Sequence, residues 1–462
     1  FRIELGEIEA RLAACAGVRD AVVVARDGSG GDKRLVAYIT VESEAAPTAA
    51  ELRAELARTL ADYMLPSAFV TLDAFPLTQN GKLDRKALPA PDQTALAVQQ
   101  YQAPQGPLEA ALAEIWQELL GVERVGRHDH FFELGGHSLL AVQLASRLRQ
   151  KLGIDTPLRR LFAHPTLMRF AADMAAADAG AAHANLAPIR PGGTRTPLFL
   201  VHPGEGEIGY VRDLCPWIDA DIPVYGLAAS GLGAGEVPQR TVQEMAARYI
   251  EGIRSVQAQG PYRLAGWSAG GTIAYEIARQ LLGAGAQVEF VGLIDTTSDY
   301  REHGAVRGES TAAIDSILEF DDIAELQALL PQEADEAVRT EVAWHARVRD
   351  FDAMAAEMSL HGYVYKNVDS VLIRRHLALR HALRGALLGY TATVVDVPVV
   401  LFSASGEERA DPSIGWGALL APQRLRVVPI GGTHYSIMEP SRIGALGAAL
   451  SQALAEVEQA WQ

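Results

Sequence analysis

The sequence predicts a multidomain chain: a small α+β subdomain, a four-helix bundle and a larger α/β unit carrying a helical lid. Three observations predict it. The 462 residues exceed what one hydrophobic core normally organises. Two stretches, 87–107 and 175–197, are rich in Ala and Pro and lose hydrophobic periodicity, as linkers do. Across them the spacing of apolar residues changes from mixed, to helical, to strands alternating with helices. The segmentation is a first unit over 1–91, a linker over 92–103, a bundle over 104–178, a second linker over 179–195 and a large unit over 196–462, with the lid at about 300–390.

In the first unit, Ala21-Val22-Val23-Val24 and Leu35-Val36-Ala37-Tyr38-Ile39 read as strands split by the turn Asp27-Gly28-Ser29-Gly30-Gly31. A helix is predicted over 49–60, with Leu52, Leu56 and Leu60 four apart, and a third strand over 69–72. In the bundle, Leu108, Leu112, Ile115 and Leu119 mark one apolar helical face, and Ala141, Leu144, Leu148 and Leu152 mark another. Short helices follow near 158–162 and 166–174. A core this thin favours a compact four-helix packing.

The large unit has strand candidates at 198–201, 224–227, 262–265, 290–294, 399–402 and 425–428, with amphipathic helices between them. This is the pattern of a mostly parallel sheet covered on both faces. The helical insertion between 300 and 390 reads as the lid.

Composition excludes some functions. An apolar content of 49% with 21% charged residues places the chain among globular proteins, and no apolar run is long enough to span a bilayer. A net charge of −16 opposes nucleic acid and anionic membrane as partners. Two cysteines, Cys15 and Cys215, cannot build a disulfide framework, so reduced thiols in a cytoplasmic protein are expected. No metal is expected. The chain opens at Phe1, without a signal peptide, inside an amphipathic stretch, which reads as a piece of something longer.

Two serines carry the chemistry. The strand candidate at 262–265 runs into Gly266-Trp267-Ser268-Ala269-Gly270 and then into a helix with Ile273, Ile277 and Leu281 on one face. Strand, sharp turn and helix are the setting of a nucleophile elbow, as in α/β-hydrolases. The glycines let strand and helix meet closely, and Ser268 is pushed out above the sheet at a helix N-terminus. His434, in Gly431-Gly432-Thr433-His434-Tyr435 after the last strand, is the base that the Ser…Asp…His order calls for. Asp295 and Asp411 both follow C-terminal strand ends and are both candidates for the orienting acid. Asp299 and Asp396 are weaker. Backbone N–H groups of Ala269 and of Gly204 or Glu205 are the expected oxyanion donors. His202 comes too early in the order for a base and reads as structural.

Ser138 lies in Asp129-His130-Phe131-Phe132-Glu133-Leu134-Gly135-Gly136-His137-Ser138-Leu139. By physics alone it reads as a helix cap, with Phe131 and Phe132 anchoring the loop before it. The whole stretch, however, closely resembles the phosphopantetheine attachment motif of peptidyl carrier domains. The resemblance implies that a phosphopantetheinyl transferase joins 4′-phosphopantetheine to Ser138, and that the arm carries an aminoacyl or peptidyl thioester. Phe1-Arg2-Ile3-Glu4-Leu5-Gly6-Glu7-Ile8-Glu9, Leu60-Ala61-Asp62-Tyr63-Met64-Leu65-Pro66 and Asn80-Gly81-Lys82-Leu83-Asp84-Arg85 resemble three motifs of the C-terminal subdomain of nonribosomal peptide synthetase adenylation domains. Lys82 matches the lysine that in that family reaches the substrate carboxylate and the α-phosphate of ATP; on spacing alone it is a solvated residue in an Asn-Gly turn. The large adenylation core is absent, so ATP and Mg are expected to act only together with that core. Residues 196–462 resemble the type I thioesterase domain of such synthetases, and this resemblance favours Asp295 over Asp411. The expected function is a terminal synthetase fragment, working beside condensation and adenylation domains. It would release a peptidyl thioester through an acyl-serine, by hydrolysis or macrocyclisation. A stand-alone serine esterase or lipase with accessory domains, or a non-catalytic carrier scaffold, are the alternatives.

Overall fold

The computed structural model describes residues 5–27, 33–41, 47–56, 66, 68–76, 83–85, 87–89, 101–136, 138–175, 185–301, 320–331, 334–361, 364, 368–406 and 409–461. They form two compact units. One comprises residues 1–140 with 164–175, the other residues 141–163 with 176–462.

The first unit begins with α1 (Leu5–Ala13), β1 (Val18–Asp27), β2 (Lys33–Val41), α2 (Ala49–Leu56) and β3 (Ala68–Thr71). Strand order is β1-β2-β3, antiparallel between β1 and β2 and parallel between β2 and β3. The period of two along the strands sends Val23 and Ile39 to one core with Ile8, Leu12 and Leu52. It sends Val22, Val36 and Tyr38 to the opposite face with Leu88. Glu9 accepts the Val23 N–H at 2.9 Å and pins α1 to the sheet. Residues 57–60, the end of the predicted helix, lie outside the described residues.

Four helices come next: α3 (Gly106–Leu120), α4 (Ser138–Leu152), α5 (Arg159–Ala163) and α6 (Leu167–Ala175). On α3 the buried stripe is Leu112, Ile115, Trp116 and Leu120, while the predicted Leu108 and Leu119 are only half-buried. The bulk of Trp116 turns the helix: its ring meets Phe131 edge-on at 5.0 Å. The end of the predicted linker at 92–103 is also structured, because Gln102 C=O accepts the Arg127 N–H at 2.9 Å.

The second unit holds residues 141–163 and a seven-stranded sheet. In chain order its elements are β4 (Leu186–Arg190), β5 (Leu198–Val201), α7 (Gly209–Leu214), β6 (Val224–Leu227), α8 (Val242–Val256), β7 (Tyr262–Trp267), α9 (Ala269–Gly283) and β8 (Val288–Ile294). Then come α10 (Asp322–Gln327), α11 (Glu336–Arg347), α12 (Phe351–Leu360), α13 (Ser370–Leu388), β9 (Val399–Ala404), α14 (Trp416–Leu419), β10 (Leu425–Ile430) and α15 (Ile443–Trp461). Strand order is β10-β9-β8-β7-β5-β6-β4, parallel except for β4. The predicted linker at 179–195 is therefore corrected: it contains an edge strand, antiparallel to β6. Pro188 sits within that strand, a position an edge tolerates. Helices α10 to α13 form the lid and share their own core of Ile323, Leu326, Val342, Met354, Met358 and Leu377. Within the sheet, buried Arg263 of β7 pairs with Glu289 of β8 and, at 2.8 Å, with Glu458 of α15, tying that helix to the strands.

Two features shape the C-terminal end of this sheet. A Cβ on Gly266 would stand 2.2 Å from the Gly270 carbonyl carbon, and one on Gly270 would stand 2.4 Å from the Val201 carbonyl oxygen. Strand and helix touch backbone to backbone there, as the glycine pattern predicts. Beside them, His202 is fully buried. Its Nδ1–H donates to Pro203 C=O and its Nε2 accepts the Tyr249 hydroxyl, both at 2.7 Å. Burial pushes its pKa down to about 4.

Gly266→Ala forces backbone apart and is expected to destabilise the sheet unit by about 1–3 kcal/mol. Gly283→Ala, at the open end of α9, is expected to be neutral or stabilising, since nothing lies within 4 Å of its added carbon. Urea unfolding of both variants checks this. The unfolded chain takes up a proton at His202 near pH 6.5, whereas the folded chain does so only near 4. Stability from this site is therefore present above pH 6.5 and lost as pH falls toward 4. The advantage of the parent over His202→Asn should shrink by about 3 kcal/mol across that window. A gap that stays constant with pH would contradict the buried neutral histidine.

Candidate active site

Strand register brings the site together. Trp267 pairs with Ile294, and Ile294 pairs with Phe402, so the residues following β7, β8 and β9 emerge side by side at the C-terminal sheet edge. Ser268 takes φ 55° and ψ −124°, and Asp295 takes φ 44°. Non-glycine residues rarely adopt positive φ, and both are held there by the strand ends: Ser268 N–H bonds Ile294 C=O at 2.9 Å and Asp295 N–H bonds Phe402 C=O at 2.8 Å.

His434 reaches this edge from the loop after β10. Its Nε2 lies 3.1 Å from Ser268 Oγ and its Nδ1 lies 2.7 Å from Asp295 Oδ2. With Asp295 ionised, Nδ1 carries the proton and Nε2 is the acceptor facing the serine hydroxyl. The ring lies 5.6 Å from Trp267 and 5.0 Å from Tyr435, which fix its plane.

Asp295 is buried and saturated with donors. Oδ1 accepts the Ala404 N–H at 2.8 Å and Arg409 at 2.6 Å; Oδ2 accepts Arg409 at 3.0 Å as well as His434. Burial alone would raise this carboxyl, but His434, Arg409 and the Ala404 N–H outweigh it and hold the group well below the usual carboxylate range. Asp411 is engaged elsewhere: it accepts from Ser413 N–H at 2.8 Å and from Gly415 N–H at 2.7 Å, shaping its own exposed turn. Of the two acids left open by residue position, only Asp295 hydrogen-bonds His434 among the described contacts.

The three residues open on a cleft of about 320 Å³. Pro203, Gly204 and Glu205 line one side of it, and Ala269 begins α9 directly after Ser268. The first N–H groups of a helix have no acceptor within the helix itself. The lid closes the other side with Arg380, His381, Leu383 and Arg384 of α13. Two lining residues carry no sequence signal. Arg409 sits in a loop without periodicity. Tyr300 faces Ser268 and Thr272, and burial pushes its hydroxyl up to about 12, so it stays neutral.

In the first unit, the loop before Ser138 is tightly built. Phe131 N–H bonds Pro165 C=O at 2.8 Å, and Leu167 N–H bonds Asp129 C=O at 3.0 Å. Gly135 has φ 101°, and a Cβ on Gly136 would lie 2.4 Å from the Phe131 ring. Phe131 and Phe132 are buried, and Ser138 is the first residue of α4. Lys82 lies outside the described residues. Cys15 and Cys215 are both buried thiols, and no helix among the described residues is long and apolar enough to cross a membrane.

Three family patterns match in succession: AMP-binding enzyme C-terminal domain over residues 7–82, Phosphopantetheine attachment site over 110–173 and Thioesterase domain over 196–358. Malpibaldin synthetase of Mortierella alpina is 47% identical over 306 residues, covering 65% of this chain and 5% of that protein. The "Probable non-canonical nonribosomal peptide synthetase (NRPS) CymA" of Salinispora arenicola is 33% identical over 469 residues, covering 99% of this chain and 6% of that protein. The crystal structure of holo-AB3403, a four-domain nonribosomal peptide synthetase bound to AMP and glycine, is 32% identical, covering 98% of this chain and 34% of its own, with a TM-score of 0.49. The chain thus spans only a small part of these synthetases, and its thioesterase domain makes it a thioester-processing enzyme. Its three domains, in this order, identify the chain as a nonribosomal peptide synthetase segment that joins an adenylation C-terminal subdomain, a phosphopantetheine carrier and a thioesterase.

Proposed function

We propose that this segment holds a peptidyl group as a thioester at Ser138 and releases it through an acyl-serine on Ser268. The observation that carries the reading is the unbroken relay from Ser268 Oγ through His434 to Asp295. When bound, 4′-phosphopantetheine supplies a thiol on a flexible arm, which raises the effective concentration of the cargo at sites the arm can reach. The Ser138 hydroxyl is the attachment point, and a phosphopantetheinyl transferase is the partner that loads it.

The relay supports acyl transfer step by step. His434 Nε2 takes the Ser268 proton as Oγ attacks the thioester carbonyl. The N–H groups of Ala269 and of the Gly204–Glu205 loop hold the oxyanion. As the intermediate collapses, His434 returns the proton to the departing sulfur, leaving the acyl group on Ser268. His434 then deprotonates water, or an amine or hydroxyl within the peptide, as that oxygen or nitrogen attacks the acyl carbonyl, and returns the proton to Ser268 Oγ as the ester bond breaks. Water yields a linear acid; an internal nucleophile yields a ring. Asp295 stays ionised throughout. Its bonds to Arg409 and Ala404 make it a weak base, so its part is to orient His434 and stabilise the imidazolium.

Condensation and adenylation domains of the same assembly are the proposed suppliers of the peptide. Lys82, with ATP and Mg, is proposed to act only in company with a large adenylation core. A cytoplasmic setting suits the two buried thiols. The esterase and scaffold readings lose support from the carrier and thioesterase patterns lying on one chain.

Incubation with coenzyme A and a broad-specificity phosphopantetheinyl transferase should add one arm to the parent by intact mass and none to Ser138→Ala. A peptidyl thioester loaded on that arm should be released by the parent, and Ser268→Ala should slow release by about 10⁴–10⁶-fold. Asp295→Asn should cost about 10³–10⁴-fold with little change in KM, because the wrong tautomer of His434 is then favoured. Turnover of Ser268→Ala at the parental rate would sink the nucleophile assignment. Product mass, intact acid or acid minus water, separates hydrolysis from ring closure.

A further inference from the structure

Within the second unit, residues 141–163 are held against α13 and its surroundings by charged side chains that the acyl-transfer chemistry does not use. Asp369 caps α13 through Val371 N–H at 2.8 Å. Its own N–H donates to Ser146 Oγ of α4 at 2.9 Å, and its Oδ2 accepts Arg149 Nε of α4 at 3.1 Å. Arg375 of α13 forks onto both oxygens of Asp155, at 2.7 Å each, and Arg149 stands 3.6 Å from the same carboxylate. Arg159 of α5 forks onto Glu236, which also accepts Gly231 N–H and Gly233 N–H at 3.1 Å each.

Isolated surface ion pairs contribute little, but this set differs in three ways. Two of the contacts are bidentate guanidinium–carboxylate forks, the geometry that gives both strength and orientation. The side chains are largely withdrawn from water: Arg159 is 8% exposed, Asp369 14% and Asp155 17%. And signs alternate across neighbouring positions, so a one-residue slip would oppose like charges. Such a set selects one seating of α4–α5 over others.

We propose that Arg149, Asp155 and Arg159 form the docking face by which the carrier helices engage the thioesterase, with Asp369, Arg375 and Glu236 as its complement. The inference rests on the reading that Ser138 carries the acyl group destined for Ser268. Its placement fits that reading. Within the second unit, α13 runs from the docking residues at its start to Arg380, Leu383 and Arg384 in the wall of the Ser268 cleft.

The test is a charge swap in the full chain. Asp155→Arg should slow single-turnover release from the loaded arm about tenfold or more, the consequence of placing like charges in a desolvated fork. Turnover of a small acyl-N-acetylcysteamine thioester, which needs no carrier, should stay at the parental rate. The double variant Asp155→Arg with Arg375→Asp should recover most of the release rate. In the acyl-free chain, amide hydrogen exchange over 369–376 should quicken in Asp155→Arg and return to parental in the double variant. Parental release by Asp155→Arg, absence of rescue by the swap, or unchanged exchange would each overturn the dock. Failure of the parent on the free thioester would instead count against the catalytic reading, and the exchange measurement would still decide the dock.

Discussion

Where β7 turns into α9, there is no space for a side chain on either partner. The added carbon at Gly266 would overlap Gly270, and that at Gly270 would overlap the end of β5. This close approach makes the turn so sharp that Ser268 must take φ 55°. Positive φ in turn lifts the side chain out of the sheet edge, toward the loop that holds His434. The same register that pairs Trp267 with Ile294 puts Asp295 one strand over, also at positive φ. The relay is therefore a consequence of backbone packing. Its side chains need no search, because the strand ends have already aimed them.

The electrostatics follow the same economy. A buried carboxylate is unfavourable unless donors surround it. Asp295 has four, from His434, Ala404 and both arms of the Arg409 fork. They fix its charge, which fixes the tautomer of His434, which leaves Nε2 as the acceptor facing Ser268. Arg409 thus acts two bonds away from the reaction.

Much of this was legible in the residues. β5 and β6 lie within the predicted spans because a short apolar run bounded by turn residues has one reading in an α/β pattern. The elbow was legible because glycine spacing and the helix after it speak together. The choice of acid was not legible from position, since Asp295 and Asp411 both follow strands; the family resemblance favours Asp295, and it is Asp295 that hydrogen-bonds His434. β4 was hidden in Ala- and Pro-rich sequence, since an edge strand with one covered face needs few apolar residues. Arg409, Tyr300 and the docking charges left no periodic trace at all. Their roles come from partners distant in sequence, such as Asp155 with Arg375, which spacing does not encode.

The two serines show how backbone decides chemistry. Both stand where a helix begins, and a serine there ordinarily spends its oxygen on a first-turn N–H. Ser268 does not: at its φ and ψ the side chain makes no cap bond, and the oxygen faces His434 instead. In the proposed reaction the Ala269 N–H, which the Ser268 side chain does not cap, is an oxyanion donor. One strained residue thereby supplies the nucleophile of that reaction and keeps its side chain off the helix start. Ser138 follows a turn anchored by Phe131 and Gly136, and the relay Ser268 has is not required of it. In the proposed reaction an external transferase supplies that activation, so Ser138 need only be presented. In the roles proposed for them, an attacking serine has to be built by the whole sheet, whereas a carrying serine has to be built only by its loop.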